Sequence, residues 1–317
     1  MRNSSTESTV QEQCSGIPII SRQPMIDLSR CAVVIVANDK FIDYVIPFLE
    51  SFRESNPSIR LIAIPFDSDF EKTARLADVY QFEVYQGSFD TVDYLSSFIF
   101  NNNYLKNRMR KLIAFELDLD EFLYIDTDII VRQSVSGFFG NIDSGTTDLI
   151  YWIGAGEWVY KPEASAMMDL SHSGRFATGM FLSSKTAASL SEISIVAQSY
   201  RMLFEQVRFR SLYDQPFLNF FFDITRKKTR NARELGLHAA YSDVFRDTSV
   251  RLTPGGDVVA NGKVVTFAHW AGSTKFEENL PFKELLELYA AKARTRLSGV
   301  PGLDEWKPFF LGAGRHE

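Results

Sequence analysis

The chain has 317 residues, 45% of them hydrophobic and 23% charged, with a formal net charge of −6. That composition suits a soluble globular protein with one large domain or two modest ones, and the acidic balance argues against a general nucleic-acid binder while leaving room for a local anion pocket. Two cysteines, Cys14 and Cys31, exclude a disulfide framework and point to a reducing, cytoplasmic setting; no stretch approaches the roughly 18 to 20 apolar residues that span a bilayer, and "MRNSSTESTVQEQCSG" lacks a signal-peptide core.

Residues 1–28 are rich in Ser, Thr, Gln and Glu without periodicity and read as a loosely held leader. The continuous β-branched run Cys31–Ala37 predicts a strand buried on both faces, and "KFIDYVIPFLESFRESNP" after it has helical spacing. Strand Ile59–Phe66, helix "DFEKTARLADVY", short strand "FEVYQ" and helix Tyr104–Leu117 follow, leading into the strand "FLYIDTDIIV", Phe122–Val131. This alternation predicts an α/β fold, a doubly wound and mostly parallel sheet with helices on both faces and ligands outside the carboxyl ends of the strands. Further strands are expected in "DLIYWIG" and "FATGMFLSS", a helix over about Lys185 to Phe209, a tight hairpin at Asn261–Gly262 and a final helix in "PFKELLELYAAKARTRL". The expected organisation is a leader (1–28), one catalytic domain (29–280) and a helical extension (281–317).

The segment Asp126–Thr127–Asp128 breaks an otherwise apolar strand near its carboxyl end. On a pleated strand the two aspartates share a face, and two buried like charges need a counter-charge. A hard divalent cation, Mg²⁺ or Mn²⁺, would supply it; aspartates that cap a turn or face solvent are the alternative. Downstream, "FAHWAGSTKF" carries His269, Gly272 and Lys275 at H-x-x-G-x-x-K spacing. A neutral imidazole can be a third ligand, a glycine admits close approach of a diphosphate, and a lysine adds positive charge.

Over Cys31 to Lys275, these motifs in this order resemble the retaining glycosyltransferases of family 8, a group that includes glycogenin and bacterial lipopolysaccharide galactosyltransferases. The resemblance implies a GT-A (Rossmann-like) nucleotide-diphospho-sugar transferase fold, Mn²⁺ or Mg²⁺ held by Asp126, Asp128 and His269, and a UDP-sugar donor. It implies that Thr127, between the aspartates, also lines the donor, that Gly272 and Lys275 face its diphosphate, and that Ala37, Asn38 and Asp39 in "VIVAND" lie near nucleobase and ribose. In "RKLIAFEL" Lys111 is the preferred equivalent of a basic residue that reaches the donor, with Arg108 and Arg110 as alternatives. "DQPFLN", Asp214 to Asn219, resembles a segment lining the donor sugar near the reacting carbon, with Asp214 and Gln215 foremost; its residues also suit a helix start, Asp214 as cap and Pro216 in the first turn. Asp148 is a further candidate for sugar hydroxyls.

Two departures stand out. Ala177 in "FATG" replaces an asparagine common in the family, and Phe276 and Glu277 stand where the family has Pro-Trp. The implied activity is metal-dependent hexosyl transfer with retention, by same-face attack, to a hydroxyl acceptor that is a glycan, a lipid-linked molecule or a small molecule. A nucleotide-sugar-binding protein without transfer activity is the non-enzymatic alternative, motivated by Ala177. A D-x-D phosphatase fits poorly, since the motif lies mid-chain with Ile130 where that class has Thr or Val. The final helix is expected to pack back on the domain or pair with a second subunit as a homodimer, with a peripheral membrane contact as the remaining alternative.

Overall fold

The computed structural model describes residues 26–99, 103–143, 145–161, 164, 168–206, 214–237, 241–244, 249–253, 257–260, 262–272, 280–308 and 310. In chain order these form β1 (Cys31–Ala37), α1 (Ile42–Ser55), β2 (Leu61–Pro65), α2 (Glu71–Tyr80), β3 (Glu83–Val84), α3 (Asp90–Ile99), α4 (Asn103–Arg108), β4 (Glu121–Ile125), β5 (Ile129–Val131), β6 (Leu149–Tyr151) and β7 (Met180–Ser184). There follow α5 (Leu190–Gln206), α6 (Asp214–Ile224), β8 (Thr229–Asn231), β9 (Tyr241–Asp243), β10 (Arg251–Leu252), β11 (Val258–Ala260), β12 (Lys263–Val264), β13 (Phe267–His269) and α7 (Lys283–Leu297). The expected helix Tyr104–Leu117 is α4 followed by a 3₁₀ segment, Met109–Glu116.

The central sheet has the order β3-β2-β1-β4-β7-β6-β8. β7 runs antiparallel to both its neighbours, and every other pairing in this sheet is parallel. The sheet is therefore mostly parallel, as the alternation of strands and helices predicts, with one reversed strand that "FATGMFLSS" did not disclose. Two small sheets, β5-β13-β9 and β10-β11-β12, lie beside it. Ala260 pairs with Lys263, so β11 and β12 form the expected tight hairpin; Gly262 takes the left-handed φ of +74° such a turn needs, and Asn261 lies outside the described residues.

Strand residues alternate between two cores. Ala32, Val34, Phe122, Tyr124 and Phe181 pack with the 3₁₀ segment, α3, α5 and the phenylalanines of α6. On the other face Val33, Ile35, Leu123 and Ile125 pack with α1 and α2. Helices thus cover both faces. The last helix is part of this core: Ala293 and Leu297 of α7 join the second cluster, Leu285, Leu286 and Tyr289 pack with Tyr44 of α1, and Arg296 forks onto Glu50 at 2.9 and 3.2 Å. Among the described residues no helix is long and apolar enough to cross a membrane.

At their carboxyl ends β1 and β2 finish opposite each other, Ala37 against Pro65, and β4 finishes at Ile125, opposite Met180 at the start of the antiparallel β7. This carboxyl edge carries the site. At the opposite edge Glu121, opposite Cys31 and Ser184, is buried and accepts the Gly140 N–H at 2.8 Å. Burial pushes its carboxyl up from 4.5 to about 7, against the pull of the Gly140 N–H. The folded state therefore holds a proton that the unfolded chain has released, so stability present below pH 4.5 is lost as pH rises through about 7. Glu121→Gln keeps an acceptor for Gly140 without the charge. We expect it to stabilise the protein above pH 7, by up to about 3 kcal/mol at 1.4 kcal/mol per pH unit, and to flatten the fall in stability between pH 4.5 and 7, as measured by denaturant unfolding over that range.

Candidate functional site

β4 stops at Ile125, the chain turns through residues 126–128, and β5 resumes in the neighbouring sheet. The aspartates are therefore not on one continuous pleated strand, which corrects the basis on which they were expected to share a face. They converge through the turn instead: Asp126 N–H donates to Gly179 O at 2.8 Å, and Trp270 N–H donates to Asp128 O at 2.9 Å. β13 runs antiparallel to β5 and sets His269 opposite Ile129. One ligand atom from each of Asp126, Asp128 and His269 lies within 4.8 Å of the others.

This trio fits a divalent cation on two local observations. His269 Nε2 is 3.0 Å from Asp128 Oδ1, and no other described group engages that buried oxygen, which leaves it a lone pair for a cation. A Cβ on Gly179 would stand 3.0 Å from Asp126 Oδ2 and 3.1 Å from His269 Cε1; the missing side chain lets the strand start come up against both ligands. Two carboxylate oxygens and an imidazole suit Mn²⁺ or Mg²⁺.

Lys111, buried in the 3₁₀ segment, reaches the same edge. Its Nζ is 2.7 Å from Asp214 Oδ2, 3.8 Å from Asp126 Oδ1 and 4.7 Å from the centre of the Tyr124 ring, and it donates to Thr178 O at 3.2 Å. Burial alone would lower the lysine, but Asp126 and Asp214 hold it above its ordinary range. Asp214 shows the converse: burial would raise it, and Lys111 together with the Thr178 hydroxyl, donating at 2.6 Å, holds it below. At Asp126 burial wins, and its carboxyl is raised against the pull of Lys111. For His269 the burial effect is overcome by Asp128, and the imidazole is raised. Arg110 instead binds Asp93 at 3.0 Å and Pro65 O at 3.0 Å; Arg108 adds positive field at Asp214.

Asp214 opens α6, and Gln215 Oε1 accepts the Thr178 N–H at 3.4 Å. Asn219, in the same motif, is bonded to the backbone of Phe176 and Gln215 through both ends of its amide, so its polar atoms are occupied away from any sugar. Ala37 closes β1, and Asn38 is buried beside it with Nδ2 donating to Asp67 at 3.1 Å and Oδ1 unbonded. The Asp39 carboxylate accepts the N–H groups of Lys72 and Thr73 at 2.8 Å, capping α2 from a distant loop. Thr127 sits in the turn between the aspartates, and Gly272 has a left-handed φ of +75° three residues past His269. Lys275 lies outside the described residues.

Asp148 is not brought to this edge. It precedes β6 at the Glu121 end of the sheet, where its carboxylate accepts the Lys228 N–H at 2.7 Å. Three residues went unread. Tyr124 donates to Asp126 Oδ1 at 2.6 Å, Thr178 bonds Asp214, and Gly179 carries the close approach. The glycine before an apolar run was the one visible signal.

Neither a protein-family model nor a curated protein sequence matches the chain. Solved structures match in fold. The galactosyltransferase LgtC, in complex with donor and acceptor sugar analogues, aligns with a TM-score of 0.56 at 17% identity, covering 84% of this chain and 100% of that one. The apo-form glycosyltransferase GlyE of Streptococcus pneumoniae TIGR4 aligns at 0.52 and 15%, covering 88% of this chain and 64% of GlyE. The bifunctional glycosyltransferase WbbM aligns at 0.52 and 13%, covering 86% of this chain and 52% of WbbM. At such identities the likeness is one of fold: a mixed α/β architecture around a mostly parallel sheet, the GT-A fold of glycosyltransferases.

Two substitutions test the geometry. Lys111→Met should cost about 3 to 5 kcal/mol in denaturant unfolding, because it strands a buried Asp214 carboxylate, and Asp214→Asn in the same chain should recover part of the loss. Gly179→Ala should weaken Mn²⁺ binding about tenfold or more by titration calorimetry, since its methyl displaces Asp126 or His269; unchanged affinity would show that the trio is not the ligand set.

Proposed function

We propose that the protein is a metal-dependent glycosyltransferase of the family 8 kind, moving a hexose with retention from a nucleotide-diphosphate sugar, UDP-sugar favoured, to a hydroxyl of a glycan, lipid-linked or small-molecule acceptor. The observation that carries this reading is the convergence of Asp126, Asp128 and His269 at the carboxyl edge of a GT-A sheet. A nucleotide sugar builds negative charge on its diphosphate as the glycosidic bond breaks. A divalent cation held by the trio would supply Lewis-acid stabilisation of that charge.

The chain's own residues would do the rest. Asp126 and Asp128, with His269, would hold the cation, Gly272 would admit the diphosphate end without a side chain in the way, and Lys275 would add a second positive group. Asn38, with Oδ1 unbonded and Nδ2 fixed on Asp67, offers an acceptor towards a base N–H, while Ala37 and Asp39 border the nucleoside. Lys111 keeps Asp214 ionised beside the sugar, and Gln215 shares that wall. Lys111 and the Thr178 hydroxyl both engage Asp214 Oδ2 and hold its carboxyl below the ordinary range, which weakens it as a nucleophile. Same-face attack, with the leaving phosphate oxygen accepting the acceptor's proton, follows as the favoured route to retention.

The test is thermal unfolding with UDP, GDP, ADP, CDP and dTDP, each with and without Mn²⁺, on the native chain and on Asp128→Ala. One nucleotide should stabilise the native chain only when Mn²⁺ is present, by about 2.7 kcal/mol at a hundredfold excess over Kd, and Asp128→Ala should abolish the effect. If no nucleotide gives a metal-dependent shift, the reading fails.

A further inference from the structure

Residues 152–179 join β6 to β7 by an excursion from the carboxyl edge, although adjacent antiparallel strands need only a short turn. One side of its return limb pairs with the outgoing limb. Ala177 N–H donates to Ile153 O at 2.9 Å, Ala155 N–H donates to Arg175 O, and Gly154 and Phe176 form an antiparallel bridge. The other side meets α6, whose residues 215, 219 and 223 recur every four positions and share one face.

Along that face three side chains take the limb's backbone in turn. Gln215 accepts the Thr178 N–H at 3.4 Å. Asn219 Oδ1 accepts the Phe176 N–H at 2.8 Å while its Nδ2 donates to Phe176 O at 2.8 Å. Asp223 accepts the Ser173 N–H at 2.6 Å, the Ser173 hydroxyl at 3.2 Å and the Tyr160 hydroxyl at 2.6 Å. Asn219 thus exchanges one N–H and one C=O with Phe176, as a residue of a neighbouring strand would. Both Asn219 and Asp223 are buried, with 0% and 2% of their surface exposed. The helix replaces a missing strand, and the limb it holds ends at Thr178, whose N–H, carbonyl and hydroxyl all bind site residues: Gln215, Lys111 and Asp214.

We propose that Asn219 and Asp223 are positioning residues, which fix residues 173–178 and thereby, through Thr178, set where Lys111 and Asp214 stand. Neither needs to touch substrate. The effect on turnover rests on the transferase reading; the clamp itself does not.

The experiment compares the full-length chain with Asn219→Leu, Asp223→Asn, Thr178→Val and the double variant of 219 and 178. It follows Mn²⁺-dependent hydrolysis of UDP-, GDP-, ADP-, CDP- and dTDP-hexoses, and amide hydrogen exchange over residues 173–180. Asn219→Leu and Thr178→Val should each lower kcat about tenfold or more with KM within about threefold, and the double variant should match the worse single one, because both act on one geometry. The Phe176 and Thr178 amides should exchange faster in Asn219→Leu. Additive losses, or a lowered Tm with kcat unchanged, would overturn the proposal. If Asn219→Leu does not fold, Asp223→Asn decides by the same two readouts, with a smaller loss of kcat and faster exchange at Ser173 expected. If the native chain hydrolyses no sugar nucleotide, the transferase reading fails separately; exchange then decides the clamp, unchanged rates refuting it and faster rates at 176 and 178 supporting it.

Discussion

The arrangement depends on one electrostatic imbalance. Asp126, Asp128 and Asp214 are gathered at one edge of the sheet, and the base that reaches deepest among them, Lys111, is placed unequally: 2.7 Å from Asp214 and 3.8 Å from Asp126. Asp214 is accordingly held below its ordinary range, while burial raises the Asp126 carboxyl against the pull of the more distant lysine. His269 leans on Asp128. The lysine thus pairs closely with Asp214, while Asp126 keeps the Tyr124 hydroxyl and a lysine at 3.8 Å and Asp128 faces the imidazole. A pair of carboxylates left in that condition is costly in a protein interior unless a cation joins them. The Asp128 oxygen that His269 alone faces and the side-chain-free approach of Gly179 are the local features that suit a cation there.

The topology makes such a cluster tolerable. Carrying the aspartates inside β4 would have put them against Phe122, Tyr124 and the apolar cores on either face. Ending β4 at Ile125 and restarting the chain as β5 moves both carboxylates to the sheet's rim, where the second sheet can bring His269 alongside. The reversed strand β7 completes the edge from the other side. Because it runs against its neighbours, its start, not its end, lies at the rim, and so Gly179 and Thr178 enter the site. A parallel strand in that position would have presented its last residues there instead.

Much of this was legible in the sequence because the signals were local. The β-branched run at Cys31–Ala37 gave its strand boundaries without error, and the helix "DFEKTARLADVY" is α2 apart from its first two residues. The convergence of Asp126 and Asp128 with His269 was anticipated from motif order, although the pleat argument behind it does not describe the turn that achieves it. What stayed hidden was set by sequence-distant pairing. Nothing local says that β7 is reversed, whereas the position of Asp148 does not depend on that reversal: β6 runs parallel to β4, so a residue opening β6 falls at the amino end. Asp39 was legible as a polar residue at the end of a strand but not as the cap of α2, because its partners lie more than thirty residues on. Tyr124 and Thr178 are invisible to composition for the same reason; each matters only for the carboxylate it faces.

Ala177 is the departure that most invited a reading of lost activity, and the structure narrows what it can mean. The N–H of Ala177 is bound by Ile153 O, the neighbouring Phe176 is held on both polar atoms by Asn219, and Thr178 is held by Gln215, Lys111 and Asp214. None of these bonds uses the side chain at 177, which packs partly buried against the first core cluster. A change of side chain there leaves in place the hydrogen bonds of the backbone that carries Thr178 and Gly179. Within the transferase reading, the positions of Lys111, Asp214 and the Asp126–Asp128–His269 trio are thus fixed by groups that Ala177 leaves untouched.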